Sequence, residues 1–347
     1  MKVAAFAVPG DLATPTGGYA YDRRIIAELD ALGWQIELSN LGDGFPRPAA
    51  DTRAGALARL AALPAARPIV IDGLAFGVLP EAAQALRLSH TMVALVHHPL
   101  ALETGLSAPE AASLQASERA ALACARHVVA TSAATARVLA SDYGVPTGRL
   151  SVVEPGTDRF DARPRKGDGV VALLAVGAIV PRKGYDLLVA ALARLKELPW
   201  RLVIAGDGGR SPDTLARLQA DIARLGLADR IALRGAVSAS ELASCYASAD
   251  LFVLPSRFEG YGMAFAEAIA HGLPVVATNA GAIPQTVPPD AGVLVPPDDA
   301  PALTAALRRL IENPDERDRL AAGARAAKFP SWREQGALFA QVLSKIA

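Results

Sequence analysis

The chain of 347 residues has only two cysteines, Cys124 and Cys245. They lie far apart, with no CxxC spacing, which excludes a disulfide framework and a thiolate metal centre. Both fall in Ala-rich helical patterns and read as small core residues, as suits a reducing compartment. A charge surplus is also missing. The 35 Lys and Arg balance the 35 Asp and Glu, which argues against a nucleic-acid binder, since such proteins show a basic excess. No apolar run approaches the roughly 20 residues of a membrane span. The opening run of MKVAAFAVPG stops at Pro9-Gly10, too short for a signal-peptide core. It reads as a first buried strand, and the chain as a soluble, cytoplasmic protein. Short-period repeats are absent. Apolar residues are plentiful, at 52% against 20% charged. That is enough for large buried sheets, and the length suits two domains.

Short apolar runs alternate with longer helical patterns from the start. Strands are expected at 3–8, 35–38, 68–71, 92–96, 127–131 and 151–153, and helices at 19–32, 54–63, 81–88, 111–125 and 132–141. Gly17-Gly18 falls in a polar loop between the first strand and the first helix. The charged stretch DARPRKGDG, residues 161–169, breaks the pattern and reads as a linker. A second alternation follows, with strands at 170–176, 201–205, 231–233, 251–254, 275–277 and 292–295. Its helices are expected at 185–198, 211–225, 239–248, 264–270 and 300–312, and a helical tail breaks at Phe329-Pro330. Alternation of this kind gives α/β domains with parallel sheets, doubly wound, and two of them offer a ligand cleft beyond their strand ends. The expected divisions are residues 1–162, 168–328 and a C-terminal helix at 329–347.

Several strand-end loops carry chemistry. Gly17 and Gly18 could cradle a phosphate, or form a plain turn; the pattern is not GxGxxG. His97-His98 follows a strand. One of the pair reads as an active-site hydrogen-bonding group, and a structural role is the alternative. A metal site has little support, because no Cys, Asp or Glu lies nearby at ligand spacing. Arg182 and Lys183, in VGAIVPRKGYD, precede a helix and could hold a diphosphate, or be a solvated cap. LVIAGDGG, with Gly206 and Asp207, and RGAVS, with Gly235, Ala236 and Val237, could approach a nucleobase; Asp207 also suits a turn. Residues 255–274, PSRFEGYGMAFAEAIAHGLP, turn through Gly260, Tyr261, Gly262 and Met263 into an Ala-rich helix. Glu259 and Glu267 flank that turn. They could be a hydrolase pair, but hydrogen bonding to sugar and ribose hydroxyls fits a nucleotide-sugar binder better.

Taken in order, GGYAYD, ALVHH, VGAIVPRKGYD, VIAGDGG, RGAVS and EGYGMAFAEAIAHGLPVVAT resemble the family 4 retaining glycosyltransferases, of the two-Rossmann-domain type called GT-B. Glu259 and Glu267 match that family's E-x7-E signature. The resemblance implies a final helix, residues 331–346, crossing back to the first domain. It implies a nucleoside-diphosphate sugar as donor, a hydroxyl acceptor, retention of anomeric configuration and no cofactor or metal. By the same likeness Glu259 faces the donor sugar, with the Gly260, Tyr261 and Gly262 amides near sugar and diphosphate. Glu267 binds the ribose, Lys183 the diphosphate, and the RGAVS loop edges the base. Gly17 and Gly18 sit against the phosphates or the acceptor, and His97 matches the active-site histidine. There are departures. Ala178 stands where many members have Arg, His98 where many have Asp, and Glu154-Pro155-Gly156 where Pro-Asn-Gly is common. Losing an Arg beside the leaving diphosphate should weaken transition-state stabilisation unless Arg182 substitutes. The competing functions are a nucleotide-sugar epimerase or hydrolase, and a non-catalytic nucleotide-sugar-binding subunit. No basic amphipathic helix marks a membrane contact: the first helix mixes Arg23-Arg24 with Asp22, Glu28 and Asp30 and reads as solvated.

Overall fold

The computed structural model describes residues 2–158, 160 and 169–346. Contacts divide the chain into two compact units, Met1–Gly156 with Pro330–Ala347, and Thr157–Phe329. The linker expected at 161–169 lies, except for Gly169, outside the described residues.

The first unit runs β1 (Val3–Val8), α1 (Gly17–Ala31), β2 (Gln35–Asn40), α2 (Ala50–Ala62), β3 (Pro68–Asp72), α3 (Gly73–Phe76), α4 (Pro80–Leu86), β4 (Thr91–Val96), α5 (Ala108–Cys124), β5 (His127–Ala130), α6 (Ala133–Ser141) and β6 (Leu150–Val152). Its strands pair in parallel in the order β2-β1-β3-β4-β5-β6. Residues 69–71 of β3 and 128–130 of β5 are continuous buried apolar runs, as suits a parallel sheet covered on both faces. The core gathers Ile69, Ile71, Ala94, Leu122, Val128 and Leu139.

The second unit continues β7 (Val171–Val176), α7 (Tyr185–Leu192), β8 (Trp200–Ala205), α8 (Pro212–Arg224), β9 (Ile231–Gly235), α9 (Ala239–Ala247), β10 (Leu251–Leu254), α10 (Met263–Ala270), β11 (Val275–Thr278), α11 (Ile283–Thr286), β12 (Gly292–Val295), α12 (Ala300–Glu312) and α13 (Pro314–Ala326). Its parallel order is β12-β11-β10-β7-β8-β9. Counted within the unit this is the 3-2-1-4-5-6 winding, so the order reverses between β7 and β10. In open parallel sheets ligands bind beyond the strand ends at such a reversal, so the loops after β7 and β10 are where a ligand is expected.

The tail returns to the first unit as α14 (Trp332–Ile346). Gly336 lets α14 close on Glu28 of α1, Phe339 meets Phe6 at 5.8 Å between centroids, and Trp332 meets Tyr21 edge-on at 5.9 Å. The crossing-back helix and the two doubly wound domains are therefore present. No helix among the described residues is long and apolar enough to cross a membrane.

Four local expectations change. Gly17 and Gly18 are not loop: they open α1, because Thr16 caps it by accepting from the Tyr19 amide. The helix expected at 185–198 tightens into a 3-10 turn after Leu192. Both cysteines are half-buried near helix C-termini rather than in the core. Asp22 is fully buried, so the first helix does not present it to water.

Candidate active site

The β7–β10 switch point of the second unit collects Arg182, Lys183 and Glu259. Lys183 lies on the loop after β7, and its stem crosses Gly177, where a Cβ would stand 3.0 Å from Lys183 Cε. Gly184 caps α7 with φ 69°, and a side chain there would overlap the Pro255 carbonyl oxygen. Glycine thus lets the two loops touch. Lys183 Nζ donates to Glu259 Oε1 at 2.7 Å, and Arg182 Nη1 donates to Glu259 Oε2 at 3.0 Å and to the Phe258 carbonyl at 2.8 Å. Glu259 is only 6% exposed. Burial alone would raise its pKa, but Lys183 and Arg182 outweigh burial and hold the carboxyl at about 2. The cluster carries one net positive charge.

Beyond Glu259 the chain turns through Gly260, Tyr261 and Gly262 into α10, whose first residue is Met263. Gly262 has φ 93° and caps the helix with no side-chain hydrogen bond. The first-turn amides of α10 are therefore uncapped by side chains, and the helix dipole adds positive potential there. On the other flank the ends of β7, β8 and β9 are laced by backbone. Gly177 donates to Ala205, Ile179 to Asp207 and Gly206 to Gly235, at 3.0, 2.8 and 2.8 Å. Asp207 serves its own turn, accepting from the Gly209 amide at 2.8 Å. Ala178 is half-buried in this lacing, while Ala236 and Val237 form the bend before Ser238 caps α9.

Glu267 lies one turn into α10 and is largely buried. Tyr246 of α9 donates its hydroxyl to Glu267 Oε2 at 2.9 Å. Burial raises the Glu267 pKa, Tyr246 pulls it back, and nearby Asp158 adds a rise. His271 stacks on Tyr246 at 4.6 Å and on Phe160 at 3.8 Å, which fixes the Tyr246 ring. Spacing in the sequence does not reveal the Tyr246–Glu267 pair.

In the first unit, the ends of β3 and β4 and the first turns of α1 converge. His97 Nε2 lies 3.2 Å from Asp22 Oδ1 and 3.7 Å from Asp72 Oδ2. Gly18 makes room, since a Cβ there would press on the His97 ring at 3.2 Å, while Tyr21 packs edge-on at 5.3 Å. Burial pushes the imidazole pKa down, yet Asp22, and Asp72 behind it, raise it overall. Burial, and then Asp22, push the Asp72 carboxyl well up, while His97 pulls it part of the way back. Sequence spacing offers His97 no carboxylate partner, and the two that stand beside it come from helix α1 and the end of β3 rather than from neighbouring positions. The three donor atoms lie within 4.8 Å of one another, a spacing that could also take a divalent cation. His98 points elsewhere, 3.5 Å from Glu103. Gly17, Gly18 and His97 belong to the first unit, and the remaining candidate residues to the second.

Comparison with known proteins agrees with this layout. Residues 157–327 match the profile "Glycosyl transferases group 1", and residues 23–159 match "Glycosyltransferase Family 4". The chain is 31% identical over 282 residues to an MMP alpha-(1->4)-mannosyltransferase of Mycolicibacterium hassiacum, covering 76% of this chain and 67% of that one. It is 36% identical over 257 residues to a D-inositol 3-phosphate glycosyltransferase of Thermobispora bispora, covering 68% and 60%. The matches thus span roughly two thirds of these curated relatives' length. Among solved structures, sucrose-phosphate synthase from Thermosynechococcus elongatus aligns with TM-score 0.82 at 22% identity, over 99% of both chains. Anabaena HepE in complex with UDP-glucose aligns with TM-score 0.77 at 20% identity, over 98% of this chain and 99% of that one. At such identities the structural likeness speaks for the fold, which is GT-B. Motif order, the two profile matches and the curated relatives together establish that the chain belongs to the family 4 glycosyltransferases.

Proposed function

We propose that this protein transfers a hexosyl unit from a nucleoside-diphosphate sugar, of the UDP or GDP type, to an acceptor hydroxyl. The acceptor is a saccharide, a polysaccharide intermediate or a small molecule. Transfer retains the anomeric configuration and uses no metal. The observation that carries this reading is the Arg182–Glu259–Lys183 cluster, with its net positive charge, beside the side-chain-uncapped start of α10. A diphosphate leaving group needs such a fixed cationic setting, because charge develops on it as the anomeric C–O bond breaks.

In this scheme the bond electrons pass to the diphosphate, and Lys183, Arg182 and the α10 amides stabilise them. Arg182 supplies the second cation that Ala178 cannot. The acceptor oxygen attacks from the leaving-group face, and its proton goes to a diphosphate oxygen. No protein nucleophile is required. Glu259 orients the two cations and faces the donor sugar, Glu267 accepts from the ribose hydroxyls, and the loops at Gly206 and Gly235 border the base. His97 offers its imidazole as a hydrogen-bonding group in the first unit. Names of relatives support the class: a mannosyltransferase, an inositol-phosphate glycosyltransferase and a structure holding UDP-glucose.

The test is a thermal-shift screen against UDP-, GDP- and ADP-sugars, followed by product analysis with candidate acceptors. Failure to bind or turn over any nucleotide sugar would sink the reading. With an active pair in hand, Lys183→Ala is expected to lower kcat/KM by about 100-fold, the scale of a lost charge-stabilising donor. An unchanged rate would remove Lys183 from the scheme. Chelation by EDTA is expected to leave turnover intact; loss that added Mg²⁺ or Mn²⁺ restores would move attention to Asp22, Asp72 and His97.

A further inference from the structure

The amino-terminal edge of the first sheet carries a concavity that the proposed reaction does not use. It measures about 330 Å³ and is lined by Arg87, Arg126 and Arg149, with His90, Leu88 and Cys124 among its other walls. Arg126 and Arg149 stand immediately before β5 and β6, and Arg87 follows α4 on the turn that leads into β4. His97 follows the other end of β4, so this cavity opens at the opposite edge of the sheet.

The charged side chains of the lining are all cationic. No Asp or Glu lines the cavity, although the whole chain has no net charge. Helix C-termini gather at this edge, and their carbonyls account for one cation. Arg149 Nη1 donates to Ala125 O at 2.9 Å and to Ala123 O at 3.5 Å, at the end of α5. This bond anchors the guanidinium as a wall of the cavity. Arg87 and Arg126 make no side-chain hydrogen bond or ion pair among the described residues and are exposed. His127 gives a second indication of the field. Its imidazole is pushed down first by burial and then by Lys345 and Arg149, as expected where positive charge accumulates. His90 presents no negative charge: its Nε2 is tied to the Leu63 carbonyl and its Nδ1 to the Ser89 hydroxyl.

We propose that Arg87, Arg126 and Arg149 form a binding site for a phosphoryl group, separate from the donor site. Guanidinium forks match the oxygens of a phosphate in paired hydrogen bonds, and Arg is favoured for that geometry over a point charge. The Ser89 and Thr91 side chains add hydroxyls to the same wall. Leu88 stands at the rim with 91% of its surface exposed, which places an apolar side chain beside the cations. The phosphoryl group can therefore come from a soluble phosphate or from a lipid headgroup whose chains pass Leu88.

Cys124 makes the proposal testable without interference from the donor site. It lines the cavity and is half-buried, and Cys245 is the only other cysteine. In a Cys245→Ser chain, alkylation of Cys124 by neutral iodoacetamide is followed at constant ionic strength. Three additions are compared with chloride: inorganic phosphate, pyrophosphate, and vesicles of phosphatidylglycerol set against phosphatidylcholine. A filled site is expected to slow alkylation about fivefold at saturating ligand, in proportion to occupancy. The protection is expected to vanish in Arg87→Ala/Arg126→Ala, whose nucleotide-sugar turnover stays unchanged. Protection by phosphate or pyrophosphate identifies a soluble source, and protection by anionic vesicles alone identifies a headgroup. No protection by any addition, or protection that survives the double substitution, overturns the proposal. Because Cys124 reports only this cavity, that outcome is independent of whether the donor reading holds.

Discussion

Glu118 and Glu259 show how one residue type is driven in opposite directions. Glu259 sits between two cations and titrates at about 2, so it adds stability above the ordinary carboxyl range that is lost as pH falls toward 2. Among the described residues no cation acts on Glu118. It is fully buried in α5, accepts from the Leu100 amide at 2.9 Å, and burial pushes its pKa to about 8. The folded protein therefore holds this proton more tightly than the unfolded chain does. Its contribution is greatest at acid pH and declines as pH rises from about 4.5, the unfolded value, to 8. Glu118→Gln keeps the shape and the acceptor but cannot ionise. It is expected to raise stability at pH 8 by about 1–3 kcal/mol and to have little effect at pH 4. Urea midpoints at the two pH values check this, and an equal shift at both would refute a protonation origin.

At the scale of elements, one arginine braces the two switch-point loops. Arg257 donates Nε to Asp298 at 2.7 Å and Nη2 to Asp186 at 2.8 Å, and it also bonds the Pro181 carbonyl. Its amide donates to the Arg182 carbonyl at 2.7 Å. It touches none of the cluster's charged tips, yet it ties the start of α7 to the turn after β10. Arg257→Ala is expected to lower kcat/KM about tenfold, or about 1.4 kcal/mol, by loosening Arg182 and Lys183. Arg257→Lys should recover only part, since one ammonium cannot span Asp186, Asp298 and a carbonyl at once. A full recovery by Lys would show that charge alone suffices. Elements of this kind also mark how far the sequence can be read. Strands β10 and β12 fall where their apolar runs and flanking turns place them, and the loops of Lys183 and Glu259 announce themselves through glycine and charge. The Asp22–Asp72–His97 group does not, because its members come from three separate strand–helix units and share no spacing. Gly17 reads as loop because two glycines suggest a turn more strongly than Thr16 suggests a cap. The Arg257 brace, too, depends on register between loops that local pattern does not specify.

The whole molecule has two separate cores, and the chain passes between its units twice, after Gly156 and after Phe329. The second passage makes the first unit depend on the last residues of the chain. Helix α14 contributes Trp332, Phe339, Val342 and Leu343 as buried side chains against α1 and β1. Tyr21, which meets Trp332, also donates to the Val153 carbonyl at 2.9 Å, so the tail supports the segment that ends the first unit. Gly156 packs so closely on Trp332 that a side chain there would overlap its backbone. Removing residues 330–347 should therefore expose the outer faces of α1 and β1 while leaving the β7–β12 core with all its own contacts. Hydrogen exchange is expected to accelerate in α1 and β1 and to change little in β7, β8 and β10. Phe339→Ala gives the milder form of the same experiment. A fully buried aromatic replaced by Ala costs about 3–5 kcal/mol, and that loss should appear in the first unit's amides. If exchange rose equally in both units, the two cores would be one cooperative structure, and the return of α14 would stabilise the molecule as a whole.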